Sequence, residues 1–200
     1  ARGGWILDCA TGTGELALAA ARQAGVTGRV LALDSCGPML KEACDKARKA
    51  QTRLACIQAR AERLPLRSEA VSAVTLSLAL RHMDLKEALR EISRVLLPGG
   101  RIALLEFLRP PPGAVSWVAL AYLRWLVPPL AGLLAWSRAP WTLATYLPRT
   151  IEAGPSVPEL VEAVEGAGLR VTLVKSLFAQ VVWLVVAMKP PRRLGETVKR

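Results

Sequence analysis

Asp8-Cys9-Ala10-Thr11-Gly12-Thr13-Gly14, followed 20 residues later by Asp34, carries the sharpest chemical signal in the chain. The glycines permit a tight turn and let backbone N–H groups come close to a ligand. Asp34 ends an apolar run, Arg29–Asp34, and is placed to accept from a ribose diol. The loop is not GxGxxG: Ala17 stands where a third glycine would fall, and Asp8 leads the loop instead. A carboxylate in that position repels a pyrophosphate and suits an ammonium group. This argues against a nicotinamide dinucleotide and for S-adenosylmethionine, whose amino-acid end carries an ammonium beside the sulfonium.

Such a loop needs a strand before it and a helix behind it, and the chain supplies both. Trp5–Asp8 is an apolar run, and Glu15–Ala24 an Ala/Leu-rich helix. Arg29–Asp34, Leu54–Ala59, Val71–Leu78 and Arg101–Glu106 read as further strands. Between them fall a helix begun by Pro38 and one capped by Asp84, with apolar residues at helical spacing from Ala88 to Leu96. Strand–helix alternation with continuous apolar strands predicts a parallel sheet covered on both faces. Pro158–Ala167 reads as a last helix. Leu169–Phe178 and Val181–Met188 read as two strands joined by a tight Ala179-Gln180 turn, which adds an antiparallel strand. The predicted fold is therefore α/β: a Rossmann-like, seven-stranded, mostly parallel sheet with a C-terminal antiparallel hairpin. One domain spans residues 1–189, and residues 190–200 form a basic tail.

The chain has 200 residues, 27 basic and 16 acidic side chains, a formal charge of +11 and 52% hydrophobic residues. Disorder is excluded by the apolar content. Basic and apolar together point to an anionic membrane surface or an apolar partner more than to nucleic acid. Both properties concentrate in residues 107–151, which contain no acid, four arginines and four of the six tryptophans. Tryptophan and arginine gather at headgroup depth. Three readings of this segment stand: a lid at an anionic leaflet, a helix pair packed in the core, or a span over Val115–Trp136, against which Pro128-Pro129 argues. Cys9, Cys36, Cys44 and Cys56 have no CxxC spacing, and His82 is the single histidine, so no zinc site is expected. The thiols are expected to be buried and reduced. The chain opens Ala1-Arg2-Gly3-Gly4 and runs directly into a strand-like segment, without a secretory leader. That gives a cytoplasmic, peripherally membrane-associated protein, with homo-oligomerisation open.

Seven segments bring a resemblance into view: LDCATGTGELA (7–17), LALDSCGPML (31–40), QARAERLPL (58–66), SLALRHMD (77–84), ISRVLLPGGRIALLEFLRP (92–110), TYLPRTI (145–151) and ELVEAVEGAGL (159–169). In this order they resemble class I S-adenosylmethionine-dependent methyltransferases, and most of all the ubiquinone/menaquinone biosynthesis C-methyltransferases. The resemblance implies transfer of a methyl group to a ring carbon of a prenylated quinol such as demethylmenaquinol. It implies that Thr13, Asp34, Arg60, Ala61 and Ser77 surround the methyl donor, with Asp8, Gly12 and Gly14 completing the loop. Met39 falls near the adenine or makes a helix-core contact. Arg60 departs from the family's Asp or Asn. Since arginine only donates, either the Ala61 backbone reads the adenine or Arg60 turns to solvent.

For the chemistry, Arg81 is placed to stabilise a quinol oxyanion. His82 has the right intrinsic pKa for a general base, or is a surface or supporting residue. Tyr146 touches the quinol head group or is simply packed. Residues 107–151 cover the active site in the family. The run Leu177–Leu184 lacks the family's Thr-Gly-Gly-like turn and later histidine, which leaves another lipid-like acceptor open. Two competing readings are a non-catalytic membrane-associated subunit on this fold and a nucleic-acid methyltransferase. The latter rests on charge alone, without the Asn/Asp-Pro-Pro-aromatic signature.

Overall fold

The computed structural model describes residues 4–24, 29–113, 121 and 149–192. Its strands are β1 (Trp5–Cys9), β2 (Arg29–Asp34), β3 (Ala55–Gln58), β4 (Val71–Ser77), β5 (Leu96–Phe107), β6 (Arg170–Phe178) and β7 (Val182–Met188). The helices α1 (Glu15–Ala24), α2 (Gly37–Lys49), α3 (Leu85–Val95) and α4 (Val157–Gly166) connect them, and a short 3-10 turn covers Leu80–His82. The strands form one sheet in the order β3-β2-β1-β4-β5-β7-β6. β3, β2, β1, β4 and β5 pair in parallel, whereas β7 is antiparallel to both β5 and β6. The predicted sheet is therefore present, and its last hairpin enters in a way the sequence did not reveal. β6 passes to the edge and β7 folds back into the slot beside β5. The hairpin turn places Ala179 at φ 43° and Gln180 at φ 56°. Two successive left-handed residues turn the chain tightly within the three-residue connection Ala179-Gln180-Val181, in which the Val181 N–H donates to the Phe178 carbonyl at 2.8 Å.

The period-two alternation of β2 shows why both faces are apolar. Val30 and Ala32 pack with Ala17 and Ala21 of α1 and Leu40 of α2. Leu31 and Leu33 join a larger cluster with Leu89 and Ile92 of α3 and Leu160 and Val164 of α4. A strand buried on both faces cannot alternate with polar residues, hence the run RVLALD. Helix ends are defined by polar chemistry. Asp84 caps α3, accepting from the Lys86 and Glu87 N–H groups at 3.0 and 3.1 Å. At the other end of α3, Lys189 Nζ donates to the carbonyls of Ser93 and Leu96, both at 2.8 Å. Ser156 and Glu159 form a capping box on α4.

The cysteine expectation needs correction. Cys44 on α2 and Cys56 on β3 are disulfide-bonded, with Cα atoms 6.6 Å apart. α2 crosses the outer strands and brings the two residues face to face, which their spacing in the chain does not announce. Of the free thiols, Cys9 is buried and Cys36 is exposed. Burial pushes the Cys9 thiol up to about 12, with the Asp8 carboxylate adding to the effect.

Candidate active site

The parallel strands end at a cavity of about 610 Å³, walled by the loop after β1, the end of β2, the segment after β3 and the turn after β4. This is where open α/β sheets bind ligands. The loop is wound tightly, with Ala10, Gly12 and Gly14 at φ 56°, 55° and 87°. The Thr11 N–H donates to the Leu33 carbonyl at 2.9 Å and the Gly14 N–H to the Thr11 carbonyl at 2.9 Å. Gly14 faces α2 so closely that a Cβ there would lie 2.6 Å from the Ala43 Cβ. Glycine is thus required twice over, by the backbone angle and by the helix beneath.

Two buried carboxylates face this loop. Asp8 accepts from the Thr11 hydroxyl and from the Thr75 hydroxyl, each at 2.6 Å. Thr75 stands directly opposite Asp8 in the parallel register of β1 and β4. Burial raises the Asp8 pKa above its usual value, against the lowering effect of these hydroxyls. Asp34 accepts from the Gly12 N–H at 2.7 Å on one oxygen and from the Cys36 N–H at 2.8 Å on the other. Each oxygen of Asp34 retains acceptor capacity for a further hydroxyl.

The remaining candidates separate into those that line the cavity and those that do not. Gly12, Thr13, Met39, Arg60, Ala61, Ser77 and His82 line it together with both carboxylates. Met39 is 43% exposed, so its side chain is not a core contact of the helix. Arg60 is turned outward, its side chain 72% exposed and paired with Glu62 at 3.0 Å. Arg81 is not part of the cavity wall. Its guanidinium donates to Glu106 at 3.1 Å and to the Leu78 carbonyl at 3.2 Å, and lies over the Phe107 ring. Tyr146, and most of segment 107–151, lie outside the described residues. Two further residues join the site without a signal in the sequence: Thr75, through strand register, and Glu62, which accepts from both Arg60 and the Asp84 N–H.

The donor set fits an adenosylated amino acid. A buried carboxylate held by neutral hydroxyls gains most from a cation, and an ammonium supplies one. A second carboxylate with spare acceptor capacity suits a diol, and Met39, Ala59 and Ala61 contribute apolar lining. Sheet order, acid-led loop and strand-end acid together define an S-adenosylmethionine-dependent methyltransferase. Residues 1–189 match the model of the ubiE/COQ5 methyltransferase family, and the chain belongs to that family. It is 38% identical over 167 residues to a demethylmenaquinone methyltransferase of Thermus thermophilus, covering 83% of this chain and 74% of that one. It is 36% identical over 168 residues to a ubiquinone/menaquinone biosynthesis C-methyltransferase of Syntrophotalea carbinolica, covering 84% and 69%. In fold it is similar to a SAM-dependent methyltransferase of Aquifex aeolicus, with TM-score 0.69 and 20% identity over 94% of this chain and 83% of that one.

Proposed function

We propose that this methyltransferase acts on a ring carbon of a prenylated quinol, of the demethylmenaquinol type. The observation that carries the reading is the conjunction of the donor cavity with two relatives above 35% identity that are named for quinone methylation. S-adenosylmethionine, when bound, supplies a methyl group on a sulfonium leaving group. In this reading the Asp34 carboxylate accepts from the ribose hydroxyls. The Asp8 carboxylate attracts the ammonium, kept in place by Thr11 and Thr75. Met39 and Ala61 flank the adenine, and Thr13 and Ser77 complete the wall.

The protein's contribution to the chemical step is mainly alignment, since holding two reactants in line lowers the barrier without covalent help. The ring carbon gains the methyl group as the carbon–sulfur bond breaks. For this the quinol hydroxyl would first give up its proton, pushing electrons to the ring carbon; after methylation, with the donor leaving as a thioether, the proton on that carbon would pass to solvent and the hydroxyl would be re-formed. His82, on the cavity wall, is the group suited to receive the hydroxyl proton. Arg81 supplies positive potential from behind the turn, and Tyr146 is assigned to the head group.

Residues 1–189 are assigned to one methyltransferase domain; the lid reading of 107–151 and the tail reading of 190–200 fall mostly outside the described residues. No helix among the described residues is long and apolar enough to cross a membrane. Access to a prenylated acceptor is assigned to peripheral contact with an anionic leaflet, on the chain's formal charge of +11 and its 52% hydrophobic composition. The test is incubation of the purified protein with S-adenosylmethionine and demethylmenaquinol, followed by mass spectrometry. Gain of one ring methyl is expected. Donor binding without methylation of any prenylated quinol would overturn the acceptor class.

A further inference from the structure

We infer that Glu106 is a positioning residue for methyl transfer: its buried carboxylate clamps the turn after β4 and so sets where that turn presents His82 and Met83 to the cavity. The inference rests on the methyl-transfer reading above. Glu106 is the penultimate residue of β5 and is 1% exposed. One of its oxygens accepts from the Leu80 N–H at 2.7 Å, and the other accepts from the Phe107 N–H at 2.9 Å and from Arg81 at 3.1 Å. Arg81 closes the clamp by donating to the Leu78 carbonyl at 3.2 Å. The segment held in this way is 78–82, in which Leu78 has φ 55°. A bulky residue keeps a left-handed backbone only where its surroundings over-determine it. Leu78, Ala79, His82 and Met83 of this same stretch line the donor cavity.

A carboxylate that merely filled space here would be a poor choice, because burying its charge is costly. Burial indeed raises the Glu106 pKa, against the lowering effect of its two backbone donors and of Arg81. What the charge provides is acceptance from three donors at once, all belonging to the turn or to the end of β5. A glutamine has the same shape but turns half of its head group into a donor, facing N–H groups only. Glu106→Gln therefore breaks the clamp without opening a cavity.

The test uses the full-length protein and three readouts. Glu106→Gln is expected to bind S-adenosylmethionine within roughly three-fold of wild type by calorimetry. Its kcat for the quinol is expected to fall about 30-fold or more with KM little changed, as for a lost alignment rather than lost binding. Amide hydrogen exchange is expected to speed up at 78–83 while the central strands stay protected. Unchanged kcat together with unchanged exchange at 78–83 would overturn the inference. So would a global loss of protection with normal turnover per folded molecule, which marks a purely structural residue. If wild type itself methylates no quinol, the acceptor reading fails and takes this catalytic role with it, whereas exchange at 78–83 still shows whether the clamp exists. Should Glu106→Gln not fold, Arg81→Lys carries the same measurement. It keeps a cation against Glu106 but replaces the two guanidinium nitrogens that serve Glu106 and the Leu78 carbonyl separately with a single ammonium, so the same slow turnover and faster exchange are expected, and normal values of both refute the clamp.

Discussion

Asp8 and Asp34 are both buried carboxylates at one loop, yet their neighbours give them different work. Asp34 takes two backbone N–H groups and organises the loop while retaining acceptor sites. Asp34→Ala is expected to weaken S-adenosylmethionine binding about 10- to 100-fold, the range for hydrogen bonds to a charged group, with the far-ultraviolet circular dichroism preserved. Calorimetric titration decides this, and unchanged affinity refutes the ribose assignment. Asp8 is held by two hydroxyls, and burial raises its pKa. Its folded form thus keeps a proton to higher pH than its unfolded form. The Asp8 share of stability is fully present below the ordinary carboxylate range and is lost as pH rises through the raised value. Donor binding favours the ionised form, so stabilisation by S-adenosylmethionine should grow over that same window. Thermal melts from about pH 4 to about pH 8, with and without donor, measure both effects as differences from Asp8→Asn. A donor effect independent of pH in wild type would remove the ammonium assignment.

Among the elements, the loop between β1 and α1 shows how backbone and packing demands combine. Gly12 and Gly14 both have positive φ, but only Gly14 faces a helix backbone, with Ala43 Cα 3.1 Å from a Cβ built there. At Gly12 the nearest atom is the flexible end of Met39, at 3.4 Å. Gly12→Ala should cost about 1 kcal/mol, for the backbone angle alone. Gly14→Ala should cost about 2–4 kcal/mol, because α2 must also move. Urea denaturation of the two variants tests the ranking, and equal costs would contradict the close approach of α2. The hydrophobic period located α3, and Asp84 its start, because a cap is local chemistry between residues two and three apart. The Glu106 clamp was not legible in this way. Its partners in the turn are 25 and 26 residues away and meet it only because β4 and β5 lie side by side.

For the whole molecule, the disulfide bears on stability and the charge on partners. Cys44–Cys56 ties α2 to the edge strand β3. Reduction should lower stability by up to about 3 kcal/mol, the scale for closing a loop of this size. Mass spectrometry after alkylation without reductant should find only one readily modified thiol among the four cysteines, Cys36, since Cys9 is buried. Two further labelled cysteines would show that the bridge does not form. The charge of +11 is the basis of the proposed contact with an anionic leaflet. Sedimentation with phosphatidylglycerol vesicles is expected at low salt and should fade as ionic strength screens the attraction. Equal binding to neutral vesicles would indicate apolar insertion alone, and no binding would refute the membrane assignment.

Much of the site was already determined by the sequence, because its determinants are local: an acid and glycines within seven residues, an acid at the end of the next strand, and apolar strands alternating with amphipathic helices. Local patterns of that kind specify element type and, in an alternating α/β chain, a parallel sheet. Tertiary structure decided what depends on register and on approach between distant segments. It set Thr75 against Asp8, turned Arg60 outward to Glu62, and inserted β7 beside β5. It also moved Arg81 from the cavity wall into the grip of Glu106. The physical reason is the same in each case: hydrogen bonds and ion pairs are made between whichever groups folding brings within about 3 Å, and the pairing of β4 with β5 is not written in the spacing of either strand.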